Sequence, residues 1–417
     1  MNSIADLPIR RNVFLLAAAV AMLYGSVQLV AAVATITFVL VSGIKMLLGL
    51  GPAIFLAAGA LTALPAGRAM DRFGRVPVLA AGFIMGIAGT MLTGLGVSRL
   101  SVTAVILGFI LIGAANASVM LSRLAAADMF PPARRGRGIG LVLVGAVFGA
   151  ILGPLVFMPM FAGKALAAST LVPPWFVAAG FMLTGLILVL NVRPDPRVIA
   201  ERLAALSQVD AKPAPLPVAA SLPEILRRPG VPPALLAALA SFAVMVSLMT
   251  LVGYILVGHG HHQDAIFPAV SAHFIGMFGL VLVVGSIVDR VGRPQAMMGG
   301  LAIMAVSVLV LVLVDGIIAT SICMFGIGIG WNFAYVAATT ELVNLTNLAE
   351  RGKILGFSDL LAGLSGAALA LIGGVILAGA GLIALGLVGG ALVLAPALWI
   401  LRSRRIHTVK VATAGDS

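Results

Sequence analysis

The sequence predicts an all-α membrane protein whose twelve transmembrane helices form two pseudo-symmetric six-helix bundles. Composition, the spacing of apolar runs and an internal repeat together predict this fold class. Apolar residues make up 61% of the chain and charged residues only 10%, whereas soluble domains carry about 25% charged residues. A chain this apolar is typical of a protein that crosses the bilayer many times, and a soluble protein is excluded.

The apolar runs give the number and order of the spans. A transmembrane helix needs about 20 mostly apolar residues, and the chain contains twelve segments of this kind. The predicted spans cover residues 12–39, 46–64, 77–95, 102–126, 139–160, 174–192, 233–257, 268–288, 295–314, 317–340, a span from 353 to about 377, and a last span that ends near 401.

A change of composition divides the chain in the middle. Residues 193–230 are rich in proline and charged side chains, so we predict a cytoplasmic linker with a short surface helix at about 198–206. The predicted domains are therefore an N-terminal six-helix bundle, 1–192, and a C-terminal six-helix bundle with a basic tail, 231–417.

The basic residues lie almost entirely on one side of the predicted bilayer. Of 26 Lys and Arg residues, only Lys45, Arg99 and Lys164 fall in loops of the other side. By the positive-inside rule the basic side is cytoplasmic, as are both termini. The net charge of +12 therefore reflects topology, and we predict no nucleic-acid partner. Span 1 is not a cleaved signal peptide, because the apolar run after Arg10 and Arg11 is too long.

The loops between spans 2 and 3 and between spans 8 and 9 carry the same short motif. It contains a Gly, an Asp-Arg pair four residues later, and then x-Gly-Arg. Its residues are Gly67, Asp71, Arg72, Gly74 and Arg75 in the first copy and Gly285, Asp289, Arg290, Gly292 and Arg293 in the second. We expect the first Gly to permit close helix approach, the Asp to face a helix N-terminus, and the second Gly to supply an unusual backbone conformation.

This duplicated motif resembles the signature loop of the major facilitator superfamily of secondary transporters. Ala69 stands where a Leu is usual, and Val76 where a second basic residue is usual. The resemblance implies two bundles that alternate access to a small-molecule substrate, and no enzymatic activity. It also implies that the signature loops form a cytoplasmic latch between the halves; the alternative is that they only fix topology.

The repeat continues beyond the signature loops. Residues 133–137 match 349–353, and at the same offset Asn116 falls on Asn332. Two parallel halves of this kind place the substrate site at their interface, near mid-depth.

One glycine-rich segment lies in span 5. Gly149, Gly153 and Pro154 resemble part of a helix-bending motif of antiporters of this superfamily, although Leu155 begins a stretch where further glycines are usual. Gly and Pro are common in membrane helices anyway, so the antiporter meaning and an ordinary packing role both stay open.

Three ionisable residues inside spans are candidates for coupling. Asp359 lies about 9 Å along its helix from Lys353, and a charge at the bilayer centre costs about 2.5–3.5 kcal/mol. It either couples transport to protons or pairs with a cytoplasmic arginine such as Arg123. Glu341 is a coupling residue or an ion-pair partner, and His273 is a titrating group or a buried, hydrogen-bonded histidine.

Polar and aromatic groups at mid-depth are candidates for substrate contact. They are Tyr24, Gln28, Asn116, Trp331, Asn332 and Tyr335. Hydrogen bonding and packing between helices is the alternative role for each. Exporters of the major facilitator superfamily, which this chain resembles, often carry an arginine in span 4. Phe109 stands at that position here.

The outer loop with His259, His261, His262 and Asp264 has metal-ligand side chains, but no second ligand cluster accompanies them, so we predict a solvated turn and no metal. No Gly-x-x-x-x-Gly-Lys-Ser/Thr run occurs, so energy must come from a gradient.

We therefore predict a monomeric secondary transporter of the inner membrane that exports a small, mostly neutral or amphipathic molecule. It would be coupled to protons and use no cofactor. Metabolite uptake by symport, or uniport, stays open, and a membrane-embedded metal-dependent enzyme is the alternative from another class.

Overall fold

Long apolar helices make up most of the described chain. The computed structural model describes residues 8–131, 134–165, 167–207, 220–347 and 350–415, without the side chains of residues 204–207, 289 and 403–415. The helices of the N-terminal half are Ile9–Ser42, Leu50–Phe73, Arg75–Ser98, Val102–Met120 followed by Ser122–Asp128, Arg135–Phe161 and Ala168–Leu190. Those of the C-terminal half are Val231–Gly258, Ile266–Phe278 followed by Val284–Val291, Arg293–Leu311, Ile317–Asn344 and Arg351–Gly415.

These helices account for twelve crossings. Ten helices of the described chain are long and apolar enough to span a membrane. The last of them contains spans 11 and 12, which meet at Gly381, where φ is +82°. Span 8 consists of two shorter helices and supplies the remaining crossing. The helix Pro196–Ser207 lies in the linker, as predicted, and Leu222–Leu226 follows it.

Each signature loop is a connection of a single residue. Span 2 ends at Phe73 and span 3 begins at Arg75, so Gly74 alone joins them, with φ +99° and ψ 173°. In the second copy Gly292 joins spans 8 and 9 with φ +91° and ψ 138°. These conformations are almost restricted to glycine. The second glycine of the motif is therefore required by the backbone, as expected.

The first glycine of each signature loop does not behave as expected. A Cβ added to Gly67 or to Gly285 would meet no atom within 4 Å. In this conformation, the described part of the chain thus makes no close helix approach at either residue.

Span 8 departs from the continuous helix predicted for residues 268–288. The helix is interrupted over residues 279–283, where Val281 N–H donates to Phe278 O and Val283 N–H donates to Leu280 O, in bonds of the tighter, three-residue type. Hydropathy is uninterrupted there, so the pattern held no sign of the break. Irregular backbone at membrane depth requires surrounding protein or a cavity. This segment directly follows Phe278, whose ring contacts Tyr24 of the other half.

One layer of contacts between the two halves lies toward the face opposite the signature loops. Thr35 Oγ1 in span 1 donates to Thr250 O in span 7, at 2.8 Å. In the same layer the Phe161 ring of span 5 lies 5.5 Å from the Phe267 ring of span 8, and Gly49 packs against the backbone of span 11. The side of the signature loops is called the basic face below, and the halves also meet on that side, where Gly140 of span 5 packs against Leu282 of span 8.

Candidate functional site

Aromatic rings from both halves form a continuous wall between them. The Tyr24 ring in span 1 lies edge-on to Phe278 in span 8, at 5.1 Å between centroids. Phe278 lies edge-on to Trp331 in span 10, at 6.4 Å, and Trp331 stacks on Tyr335 at 5.2 Å and 22°. Tyr24, Phe278, Trp331 and Tyr335, called the aromatic wall below, bring together three of the predicted substrate-contact residues. Phe278 was missed because isolated phenylalanines in an apolar run carry no distinguishing signal.

A charged cluster adjoins this wall on the basic side. The Tyr335 hydroxyl donates to Asp359 Oδ1 at 2.6 Å, and Arg123 Nη2 lies 3.7 Å from Asp359 Oδ2. Arg123 belongs to span 4 and Asp359 to span 11, so the ion pair joins the two halves. The Arg123 and Asp359 side chains are 41% and 44% exposed, although both lie inside predicted spans. The cluster is thus accessible from the space between the halves.

Gln28 ties span 1 to two other helices. Its buried Nε2 donates to Ala150 O in span 5 and to Ser271 Oγ in span 8, both at 3.0 Å. Gly153 makes room for it, because a Cβ there would overlap the Gln28 side chain. Gly149 likewise packs against Tyr24, so both glycines of the antiporter-like motif serve the packing of span 5 on span 1. Pro154 lies inside the same helix.

Three buried polar atoms of predicted substrate-contact residues have no hydrogen-bond partner among the residues that the structure describes. They are Gln28 Oε1, Trp331 Nε1 and Asn332 Nδ2. Buried polar atoms are nearly always hydrogen-bonded to protein or ordered water, so these three atoms are candidates for contact with water or with a polar group of a ligand. Asn116, the repeat partner of Asn332, is half-buried in span 4.

Glu341 and His273 lie outside this cluster. Glu341 Oε2 is 3.4 Å from Arg293 Nη1 of the second signature loop, which places it in an ion pair at the basic end of span 10. His273 is fully buried between spans 8 and 10, with Nδ1 2.9 Å from Met324 O. Neither residue contacts Asp359.

The outer histidines contact the loop between spans 9 and 10. His261 Nε2 lies 2.5 Å from Asp315 O, and His259 Nδ1 lies 3.5 Å from Asp315 Oδ1. No group of three metal-ligating side chains occurs among the residues that the structure describes.

In the first signature loop the charges pair within the N-terminal half. Arg75 Nε donates to Asp128 Oδ2 at 2.7 Å, and Arg75 Nη1 donates to Asp71 Oδ1 at 3.1 Å. Arg72 lies over the Phe73 ring, 5.2 Å from its centroid. In the second loop, Arg293 contacts Glu341, while the Asp289 side chain lies outside the described residues.

The linker is attached to both halves by contacts that the sequence analysis missed. Asp195 Oδ2 accepts from Val76 N–H at 2.8 Å, at the start of span 3, and Arg197 Nη1 donates to Asp71 O at 2.8 Å. The Pro-Asp-Pro context of Asp195 could have signalled a helix cap.

On the other half, Arg228 donates to both carboxylate oxygens of the buried Glu350, at 2.7 and 2.8 Å. The hydrogen bond from Arg228, together with those from the backbone N–H groups of Ala220 and Asn347, lowers the pKa of Glu350 to about 2. The available signal was a difference between repeats, because Glu350 stands where the first copy has Arg134.

Comparisons with known proteins agree with this architecture. The sequence profile described as Major Facilitator Superfamily matches residues 13–340. The MFS-type transporter YdeG of Bacillus subtilis (strain 168) is 30% identical over 332 residues, which cover 79% of this chain and 76% of YdeG. The riboflavin transporter RfnT of Brucella anthropi is 27% identical over 379 residues, which cover 88% of this chain and 89% of RfnT.

Solved structures show the same fold. The partially occluded inward open xylose transporter XylE from E. coli superposes with a TM-score of 0.68 at 14% identity, covering 94% of this chain and 97% of XylE. A POT family transporter in complex with a thioalcohol conjugated peptide gives a TM-score of 0.72 at 12% identity, covering 94% and 95%. At these identities the likeness concerns the fold alone.

Proposed function

The chain belongs to the major facilitator superfamily and is a transporter rather than an enzyme; on that premise we propose that it exports a small, mostly neutral or amphipathic molecule in exchange for protons. The observation that carries the proposal is the cluster of Arg123, Asp359 and Tyr335. It joins the two halves, is accessible between them, and adjoins the aromatic wall.

Asp359 is the proposed proton site. When ionised it attracts Arg123 from the other half and accepts the Tyr335 hydroxyl. Protonation removes the charge and with it most of the attraction to Arg123. A proton that binds one arrangement of the halves better than the other shifts the equilibrium between them. Titration of this carboxylate would therefore bias the alternation of access.

The substrate class follows from the surroundings of the cluster. The described ion pair between spans 4 and 11 adjoins aromatic rings through Tyr335, and uncharged donors and acceptors occur on spans 1 and 10. Such a site suits a neutral or amphipathic molecule, because a charged substrate would bring an unpaired charge to this depth at a cost in free energy. One chain contributes both halves of the site, which supports a monomeric transporter.

The signature loops are proposed to latch the halves in the opposite arrangement. In the described conformation Gly67 and Gly285 face open space, and Arg75 pairs within its own half. Closing the basic face would bring structure against both glycines. By the positive-inside rule that face is proposed to be cytoplasmic. Both termini would then lie on the cytoplasmic side of the inner membrane.

A second candidate function is uptake of a planar heterocyclic metabolite. The related protein RfnT is a riboflavin transporter, and the parallel Trp331 and Tyr335 rings offer a flat surface of the kind on which such rings stack. Offset stacking contributes about 0.5–1.5 kcal/mol beyond area burial.

The test uses the purified protein in proteoliposomes. A thermal-shift screen of neutral and amphipathic compounds, riboflavin among them, selects the probe. Transport of the probe is then measured with and without an imposed pH gradient, in both directions. Asp359→Asn should lose gradient-driven transport while retaining exchange of labelled for unlabelled probe across a membrane without a gradient.

The matched control is Asp315→Asn, which removes a carboxylate that is 86% exposed on the opposite face. Gradient-driven transport that survives in Asp359→Asn would remove Asp359 as the proton site. Accumulation of riboflavin on the proton-poor side, in the direction in which protons flow, would favour symport over export.

A further inference from the structure

A long apolar groove lies on the outer surface of the N-terminal half, away from the aromatic wall. Its floor is formed by the small residues Ala18 and Gly145, because Gly145 lets spans 1 and 5 pack backbone to backbone at Ala17. Phe14, 71% exposed, and Leu155, 68% exposed, lie along its sides. The cavity measures about 1480 Å³, larger than the 300–1,000 Å³ that is usual for compact small-molecule sites.

The groove carries positive charge at its basic-face end. Arg10, Arg11 and Arg137 line that end, and none of the described residues that line the groove is acidic. Arg11 is held by hydrogen bonds to the carbonyl oxygens of Asn191 and Arg193. Arg10 and Arg137 are exposed and make no hydrogen bond or ion pair with the residues that the structure describes. Two guanidinium groups thus stand at the mouth of an apolar channel.

Both helices also begin at this mouth. Span 1 starts at Ile9 and span 5 at Arg135, and neither first turn contains an acidic residue. Helix N-termini favour anions, so the backbone adds to the potential of Arg10 and Arg137. The lining of span 1 extends from Arg10 to Met22, about 18 Å along the helix. This is close to the depth of one leaflet, since the hydrocarbon core is about 30 Å thick.

We propose that this groove binds an anionic phospholipid of the basic-face leaflet, with its phosphate at Arg10 and Arg137 and an acyl chain along Ala18 and Gly145. The charge selects the occupant: a neutral chain would need no cationic mouth, and basic pockets between transmembrane helices recognise acidic headgroups. Span 1 also carries Tyr24 and Gln28, so a lipid here would contact the helix that holds two substrate-site candidates.

The experiment is native mass spectrometry of the delipidated full-length protein. The protein is titrated with phosphatidylglycerol and, separately, with phosphatidylcholine of the same acyl chains. We expect preferential retention of one phosphatidylglycerol. The double variant Arg10→Gln/Arg137→Gln should bind it roughly tenfold or more weakly, given the contribution of each basic residue near an anionic headgroup.

Two further variants separate the groove from general surface charge. The control Arg227→Gln/Arg402→Gln removes two exposed basic-face arginines outside the groove and should leave the affinity unchanged. Ala18→Trp, which fills the floor, should reduce phosphatidylglycerol binding without changing any charge, whereas Ala81→Trp on the outer face of span 3 should not. Equal loss in both double variants, equal binding of the two lipids, or full binding in Ala18→Trp would overturn the proposal. Thermal unfolding of each variant checks that it is folded.

Discussion

Arg123 in span 4 and Asp359 in span 11 form an ion pair, 3.7 Å from nitrogen to oxygen, that connects the two halves of the molecule near the basic face. Both side chains are more than one third exposed, and ion pairs of this kind contribute only about 0.2–1 kcal/mol to stability. The pair therefore adds little to the stability of the fold, and we propose that its role lies in the change between conformations.

The first prediction is that changing this ion pair affects transport more than stability. Arg123→Glu places two like charges together and should reduce transport at least tenfold, while the midpoint of thermal unfolding changes little. Adding Asp359→Arg restores an opposite pair with reversed polarity and should recover part of the exchange activity. The measurement is counterflow in proteoliposomes. If the double variant is no better than Arg123→Glu, the attraction between these residues has no role in transport.

The second prediction concerns the aromatic wall. Trp331→Ala should raise the KM for an aromatic substrate about 2- to 12-fold, as expected when a stacking contact of about 0.5–1.5 kcal/mol is lost. Trp331→Phe retains a ring and should recover most of the affinity. Trp399→Phe, on the exposed surface of span 12, is the control. An unchanged KM in Trp331→Ala would exclude this ring from the binding site.

The third prediction tests the backbone of the signature loops. Gly74→Ala places a Cβ at φ +99° and ψ 173°, a region where other residues carry a strain of about 1–3 kcal/mol. We expect a lower temperature of unfolding in detergent. Gly292→Ala should act in the same direction. The prediction fails if either variant is as stable as the parent protein.

The fourth prediction distinguishes a latch from a loop that only fixes topology. Gly67→Leu adds a side chain where the described conformation has open space, so its stability should be unchanged. If the basic face closes over Gly67 during transport, the same variant should lose most of its activity. Normal counterflow in Gly67→Leu would leave the loop with a topological role only.

The fifth prediction follows from the lowered pKa of Glu350. The ordinary pKa of a glutamate is 4.5 and the pKa of Glu350 in the folded protein is about 2, so between these pH values the folded state holds fewer protons at Glu350 than the unfolded state does. Its contribution to stability is present above pH 4.5 and is lost as the pH falls toward 2. Glu350→Gln should therefore flatten the acid side of a profile of unfolding temperature against pH. Glu201→Gln, which removes an exposed partner of Arg197, should keep the parent profile.

The sequence predicted features that depend on local pattern. Hydropathy located the spans, since each must match the thickness of the bilayer, and the motif spacing identified Gly74 and Gly292 as positions where only glycine suits the backbone. The sequence also pointed to Arg123 as an ion-pair partner of Asp359, because the two residues lie at matching depth on the same side.

Features that depend on the relation between distant segments were not predictable in this way. The contacts of Asp195 with Val76 and of Arg228 with Glu350 join residues far apart in the chain, and no periodic pattern signals them. The break in span 8 was missed because residues 279–283 are as apolar as an intact helix. The open space at Gly67 is a property of the described conformation. The sequence is the same in every conformation, so it does not indicate in which of them Gly67 is free of contacts.

The interruption of span 8 makes the two halves mechanically unequal. Span 2 runs unbroken to its signature loop at Phe73, whereas the corresponding helix is interrupted between Phe278 and Val284. The second signature loop and the eight-residue helix before it are consequently joined to the rest of span 8 by a less regular segment, and we expect them to move more readily than their counterparts in span 2. During the change of conformation we therefore expect larger local movement in the C-terminal half than in the N-terminal half.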